Sequence, residues 1–78
     1  MNNRAKLQKV FKEALPQSQN VDVEKMEYGD VGWDSLAHMV LCSCIESGFG
    51  VMLEIEQIAL ISSFDKAIEI LESHAIRF

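Results

Sequence analysis

Asp34 and Ser35 form the most chemically informative pair in the chain, because they precede an apolar run that predicts a helix. The N-terminus of a helix presents unbonded N–H groups and about half a positive charge. A phosphate joined to Ser35 would be stabilised at that end, so the position suits a phosphodiester. From physical chemistry alone, however, a serine that only caps the helix is the better supported interpretation.

Two other pairs of reactive side chains share a face of the same predicted helix. His38 and Cys42 are four residues apart, a spacing that suits metal ligands, but His74 and Cys44 are poorly placed to complete a site. A half-buried histidine beside a buried thiol is expected instead. Ser35 and His38 are three residues apart, but no orienting carboxylate or oxyanion hole accompanies them. We therefore predict neither a metal site nor hydrolase activity.

The size and charge of the chain exclude several classes of function. Its 78 residues form a single domain, 1–78, whose small core leaves little room for the deep cavity of a self-contained enzyme. The net charge of −5 makes DNA or RNA a poor partner. The first 15 residues carry a net charge of +3 and the rest carry −8, which favours a basic partner for the C-terminal part.

Cysteine usage and hydropathy bear on the compartment. Cys42 and Cys44 are the only cysteines, so there is no disulfide framework, and free thiols suit a reducing cytoplasm. Residues 35–53 are rich in apolar side chains, but Glu46 and two glycines argue against a membrane span. No signal peptide is visible, because basic residues interrupt the early apolar positions. We expect a cytoplasmic protein without a membrane segment.

The spacing of apolar residues predicts an all-α fold. Three main helices are expected over 3–15, 35–47 and 63–74, with a short third helix over 54–60 and a long first loop over 16–33. No segment alternates for long enough to build a sheet. The expected architecture is therefore a four-helix bundle with a long first loop.

Capping residues define the expected ends of the helices. Asn3 and Asp34 are expected as N-caps, Gly48 as the stop after the second helix, and 62–65 resembles a capping box. Trp33 is expected to be half exposed, packing on the first turn of the second helix, and the sequence does not decide whether Met52 and Leu53 are core residues. The side chains expected to turn inward, or to hold the loop to the core, are Leu7, Val10, Phe11, Ala14, Val21, Val23, Met26, Tyr28, Ile55, Ile58, Ala59, Phe64, Ala67, Ile68 and Leu71.

The second helix is apolar on both sides, which a bundle of this size cannot bury completely. One side is expected to pack in the core, and the other to form an exposed apolar strip that is covered by the loop, by a partner, or by both. The core side consists of His38, Leu41, Cys42 and Ile45, and the strip consists of Leu36, Met39 and Val40.

Residues 32–36, Gly-Trp-Asp-Ser-Leu, resemble the attachment motif of acyl carrier proteins, whose core is Asp-Ser-Leu. The similarity extends in order and spacing over about residues 5–72. Its further matching segments are Ile45-Glu46, Phe49-Gly50-Val51, Ile58, Ser62-Ser63-Phe64 and Ala67-Ile68.

This resemblance implies a function as well as a four-helix fold. Ser35 would receive a 4′-phosphopantetheine group from coenzyme A, transferred by a separate, magnesium-dependent phosphopantetheinyl transferase. The thiol of that group would carry an acyl or aminoacyl group as a thioester to a loading enzyme and downstream biosynthetic enzymes, without catalysis by the carrier. Asp34 would cap the helix and orient the transferase, and the strip Leu36, Met39 and Val40 would contact partners. The carrier is expected to be a monomer.

The chain also departs from fatty-acid carriers. Val31 replaces the leucine of a common Leu-Gly pair, Trp33 is unusually bulky, and Ala37, Val40 and Ser47 stand where acids are expected. These features look more like the stand-alone carriers of specialised bacterial pathways. Two alternatives stay open, an unmodified helical interaction domain that uses the exposed strip and a carrier whose cargo is an amino acid.

Overall fold

The computed structural model describes residues 2–18 and 20–78, which fold into four α-helices. Helix α1 spans Asn3–Ala14, α2 Ser35–Phe49, α3 Ile55–Leu60 and α4 Phe64–Ser73. Within the described ranges there is no β-strand, and the long first loop contains two single 3-10 turns. The predicted all-α bundle with a short third helix is therefore confirmed. None of its helices has the length and apolar character needed to cross a membrane, as far as residues 2–18 and 20–78 show.

Two predicted capping residues, at the start of α1 and at the end of α2, are wrong by one or two residues. Asn2, not Asn3, caps α1, because its side-chain oxygen accepts from the amide of Ala5 at 2.7 Å. Helix α2 continues past Gly48 to Phe49, and its C-cap is Gly50, whose φ of 66° is left-handed. A Cβ at Gly48 would lie 3.3 Å from a methyl group of Val10, so this glycine serves the close approach of α1 and α2 rather than the helix stop.

The predicted capping box is also misplaced. Ser63 caps α4, since its hydroxyl accepts from the amide of Lys66 at 3.2 Å, but a lysine at that position cannot return a hydrogen bond as an acceptor. The reciprocal arrangement occurs at α3 instead. There the side chain of Gln57 accepts from the amide of Glu54 at 3.1 Å.

Three aromatic rings form the centre of the core. Phe11 packs against Trp33 with ring centroids 5.6 Å apart and against Phe64 at 5.2 Å. Trp33 is completely buried, so the expectation of a half-exposed side chain is wrong. An indole can be buried at low cost only when its N–H finds an acceptor. The imidazole of His38 supplies that acceptor.

Most of the predicted inward residues are buried, and the exceptions are concentrated in α3 and the first loop. Helix α3 buries no residue: Ile55 is 82% exposed, Ala59 is exposed and Ile58 is half-buried. In the loop, Val23 and Met26 are buried, whereas Val21 and Tyr28 remain about half exposed. Ile68 on α4 is half-buried beside the fully buried Phe64, Ala67 and Leu71, and Leu53 is buried while Met52 is exposed.

Candidate functional site

Asp34 begins α2 as its N-cap, as predicted. One oxygen of its carboxylate accepts from the amide of Ala37 at 2.9 Å, and its backbone carbonyl accepts from the amide of His38 at 2.8 Å. Ser35 is therefore the first residue of the helix. This arrangement satisfies two of the amides in the first turn and leaves those of Ser35 and Leu36 without an intrahelical partner.

The hydroxyl of Ser35 is available for chemistry. The residue is exposed, and its side chain forms no hydrogen bond with any residue in 2–18 or 20–78. The unbonded amides of Ser35 and Leu36 and the positive end of the α2 dipole face the same region. A phosphodiester at Ser35 therefore fits the local geometry, because its negative charge would meet donors that nothing else on the helix uses.

The turn before α2 fixes the approach to Ser35. The amide of Trp33 donates to the carbonyl of Asp30 at 2.9 Å, and the amide of Gly29 donates to the carbonyl of Trp33 at 3.0 Å. Gly32 adopts a φ of 88°, and a Cβ there would lie 2.9 Å from the Cβ of Gln17. Any other residue at Gly32 would be strained and would displace the first part of the loop, so the turn depends on this glycine.

His38 is buried on the opposite side of α2 from the strip and binds two separate elements. Its Nδ1 accepts a hydrogen bond from the indole Nε1–H of Trp33 at 3.0 Å. Because Nδ1 is an acceptor, the ring proton is on Nε2, which lies 2.8 Å from the carbonyl of Ile58 and donates to it. The pairing could not be predicted from the sequence, because no helix periodicity links Trp33, which lies outside α2, to His38.

Cys42 lies beside His38, with its Sγ 3.6 Å from Nε2. Burial raises the pKa of the Cys42 thiol to about 11, and the negative charge of Glu46 adds to this effect. A thiol with such a pKa is neutral and unreactive at physiological pH. Among the residues that the structure describes, no group of three potential ligands surrounds the pair.

The strip on α2 is uncovered. Leu36, Met39 and Val40 are 75%, 57% and 45% exposed, so the first loop does not shield them. The other side of the helix is buried, as predicted, and consists of His38, Leu41, Cys42 and Ile45. Ser35 and the strip therefore share an open surface, whereas His38 faces away from it.

Comparisons of the chain with models of known protein families, with curated proteins and with solved structures found no match.

Proposed function

We propose that the protein is a carrier that holds an acyl or aminoacyl group as a thioester on 4′-phosphopantetheine attached to Ser35. The observation that carries the proposal is the exposed, unbonded hydroxyl of Ser35 at the first position of α2. The similarity of residues 32–36 to the attachment motif of acyl carrier proteins supports the same assignment. The exposed strip beside Ser35 adds a surface on which a partner enzyme can dock.

The attached group supplies a thiol for thioester formation, and the chain's own residues position it. Asp34 holds the first turn of α2, and the amides of Ser35 and Leu36 stabilise the phosphate. His38 is not placed to deprotonate Ser35, because both of its ring nitrogens are engaged inside the protein. One oxygen of the Asp34 carboxylate caps the helix through the amide of Ala37. In the proposed reaction a partner transferase, with its magnesium ion, would supply the activation.

The strip Leu36, Met39 and Val40 defines the proposed contact with partner enzymes. These three side chains are exposed, and the helix carries a single charged residue, Glu46. Burying a valine or methionine contributes about 1.5–3 kcal/mol, more than the roughly 0–1 kcal/mol of an exposed ion pair. The transferase and the loading and downstream enzymes would thus offer a shallow apolar groove. The free thiols Cys42 and Cys44 support a cytoplasmic location.

Intact mass spectrometry tests the attachment. The protein is incubated with coenzyme A, magnesium and a broad-specificity phosphopantetheinyl transferase, and we expect one phosphopantetheinyl mass to be added. Ser35→Ala should abolish the addition because the acceptor hydroxyl is lost. Ser43→Ala is the matched control, since Ser43 is an exposed serine on the same helix and its loss should leave the modification intact.

The second candidate function is an unmodified helical interaction domain, which the exposed strip also favours. An unchanged mass with several transferases would support this alternative over the carrier. Modification of the Ser35→Ala variant would show that the attachment site is wrong. If the carrier is confirmed, the mass of the thioester-bound group after incubation with the loading enzyme distinguishes an acyl from an aminoacyl cargo.

A further inference from the structure

Helix α3 has few apolar contacts to hold it in the bundle. It has six residues and no buried side chain, and both Ile55 and Leu60 are exposed. An isolated helix of this length is unstable in water, so tertiary contacts must hold it. Of its own residues only Ile58 packs against the core, and it is half-buried, while Leu53 and Ile61 are buried on either side of the helix. Hydrogen bonds from other elements therefore add to a sparse apolar contact in placing α3.

Four polar links reach α3 or the residues leading into it. The carboxylate of Glu46 accepts from the amide of Leu53 at 2.8 Å. The side chain of Gln57 contacts two residues of the C-terminal segment, the imidazole of His74 at 2.9 Å and the hydroxyl of Ser73 at 3.5 Å. The fourth link is the bond from His38 to the carbonyl of Ile58. His38 is the most buried of the side chains that reach across, so water competes least for its bond.

The His38 link lies beside a small cleft. The cleft has a volume of about 250 Å³ and is lined, next to the imidazole, by Tyr28, Ala59, Ile61 and Ser62. The space on one side of the bond to Ile58 is therefore not completely filled by side chains.

The same imidazole is fixed at its other end by Trp33. Besides the hydrogen bond to Nδ1, the two rings stack with centroids 6.1 Å apart and an interplanar angle of 25°. Trp33 lies two residues before Ser35, and His38 lies three residues after it. One side chain thus connects the loop end that presents Ser35, the first turn of α2 and the backbone of α3.

We infer that His38 is a positioning residue that, through Trp33 and Ile58, sets the place of α3 relative to Ser35. The inference deepens the proposed function, because it assumes that a transferase must dock around Ser35. Without the imidazole, α3 loses its buried tether and samples open positions. The transferase then meets a less ordered surface beside Ser35, which keeps its hydroxyl.

Two substitutions separate this role from simple packing. His38→Leu removes both hydrogen bonds and keeps an apolar side chain in place. His38→Gln retains an acceptor for Trp33 and a donor for Ile58, so it should restore the tether. His74→Leu is the matched control, because it removes the other histidine that reaches α3 from a less buried position.

Amide hydrogen exchange provides the first measurement. His38→Leu should raise the exchange rates of α3 amides about tenfold more than those of α4, as local opening does. His38→Gln should stay within about threefold of the wild type, and His74→Leu should have the smaller effect. Equal acceleration in α3 and α4, or an effect of His74→Leu as large as that of His38→Leu, would overturn the inference.

Transferase kinetics provide the second measurement. His38→Leu should raise the KM for the carrier about fivefold with kcat within about twofold, because docking is affected while the acceptor hydroxyl of Ser35 is retained. An unchanged KM would overturn the positioning role even if α3 exchanges faster. Failure of every transferase to modify the wild-type protein would overturn the proposed function, and hydrogen exchange would then decide the tethering of α3 independently.

Discussion

The two faces of α2 have nearly the same apolar composition and opposite environments. Leu41 and Ile45 are completely buried on one face, whereas Leu36 and Met39 on the other are more than half exposed. The difference shows that hydrophobicity along a helix indicates how much surface could be buried, but not which neighbours are available to bury it. An apolar face that gains no burial contributes little to folding, which favours a role in contact with another molecule.

The largest expected difference between the two faces is in stability. Leu41→Ala should lower the free energy of unfolding by about 2–5 kcal/mol, because it removes a fully buried side chain and leaves a cavity. Met39→Ala on the exposed face should change it by less than about 0.5 kcal/mol. Urea unfolding followed by circular dichroism measures both values. A larger loss for Met39→Ala would mean that the faces are assigned incorrectly.

The next effect is on binding, where a substitution on the exposed face should have a larger effect than one on the buried face. Val40→Glu should weaken the affinity for the transferase by about tenfold or more, since it places a charge in an apolar contact worth about 1.5–3 kcal/mol. Titration calorimetry at low and physiological salt provides the equilibrium Kd. We expect salt alone to weaken binding by less than about tenfold, because the strip contains no charge.

The control for this experiment must be an acidic residue whose carboxylate does not stabilise the fold through a hydrogen bond. Glu46 is unsuitable, because its carboxylate accepts from the amide of Leu53. Glu56 is exposed on α3, and Glu56→Gln should change the affinity less than Val40→Glu does. Association rates should be recorded separately, since the net −8 of residues 16–78 steers encounters at long range. A steep loss of equilibrium affinity with salt, together with an indifferent Val40→Glu, would favour electrostatic docking instead.

A further expected effect, confined to alkaline pH, concerns the ionisation of the buried face. The pKa of the Cys42 thiol rises from an ordinary value of 9.0 to about 11 on folding. Between these values the unfolded chain loses the proton and the folded protein keeps it, so stability should fall as the pH rises through this window. The stabilisation linked to the Cys42 thiol is fully present below pH 9. Urea unfolding at a series of pH values measures this decline. In Cys42→Val the free energy of unfolding should fall less steeply with pH, by a slope equivalent to less than one proton. Identical slopes in the two proteins would contradict the pKa shift.

The sequence was sufficient to predict several features that depend on local chemistry, although the cap of α1 and the capping box were assigned to the wrong residues. The cap at Asp34, the position of Ser35 on the first turn and the division of α2 into two faces all follow from residue type and a period of 3.6. The same reasoning gave four helices in the correct order. These properties are determined within one or two turns, so a single segment contains the necessary information.

Features that depend on contacts between segments could not be predicted. Gly48 looks like a helix stop, but its role is the close approach of Val10 on α1. Ile55 has the type and spacing of a core residue, yet α3 leaves it 82% exposed and packs only the half-buried Ile58 against the core. Trp33 is buried because His38 accepts its N–H, a pairing that depends on how the turn enters α2. Whether Ser35 carries a prosthetic group is likewise decided by a partner.

The burial of Trp33 gives the protein a built-in optical probe. It is the only tryptophan in the chain, so intrinsic indole fluorescence comes from a single point, two residues from Ser35. The ring lies between the aromatic core at Phe11 and the imidazole of His38. Emission from an indole depends on the polarity around it. The light that this protein emits therefore reports on the junction between core and proposed attachment site, without any added label.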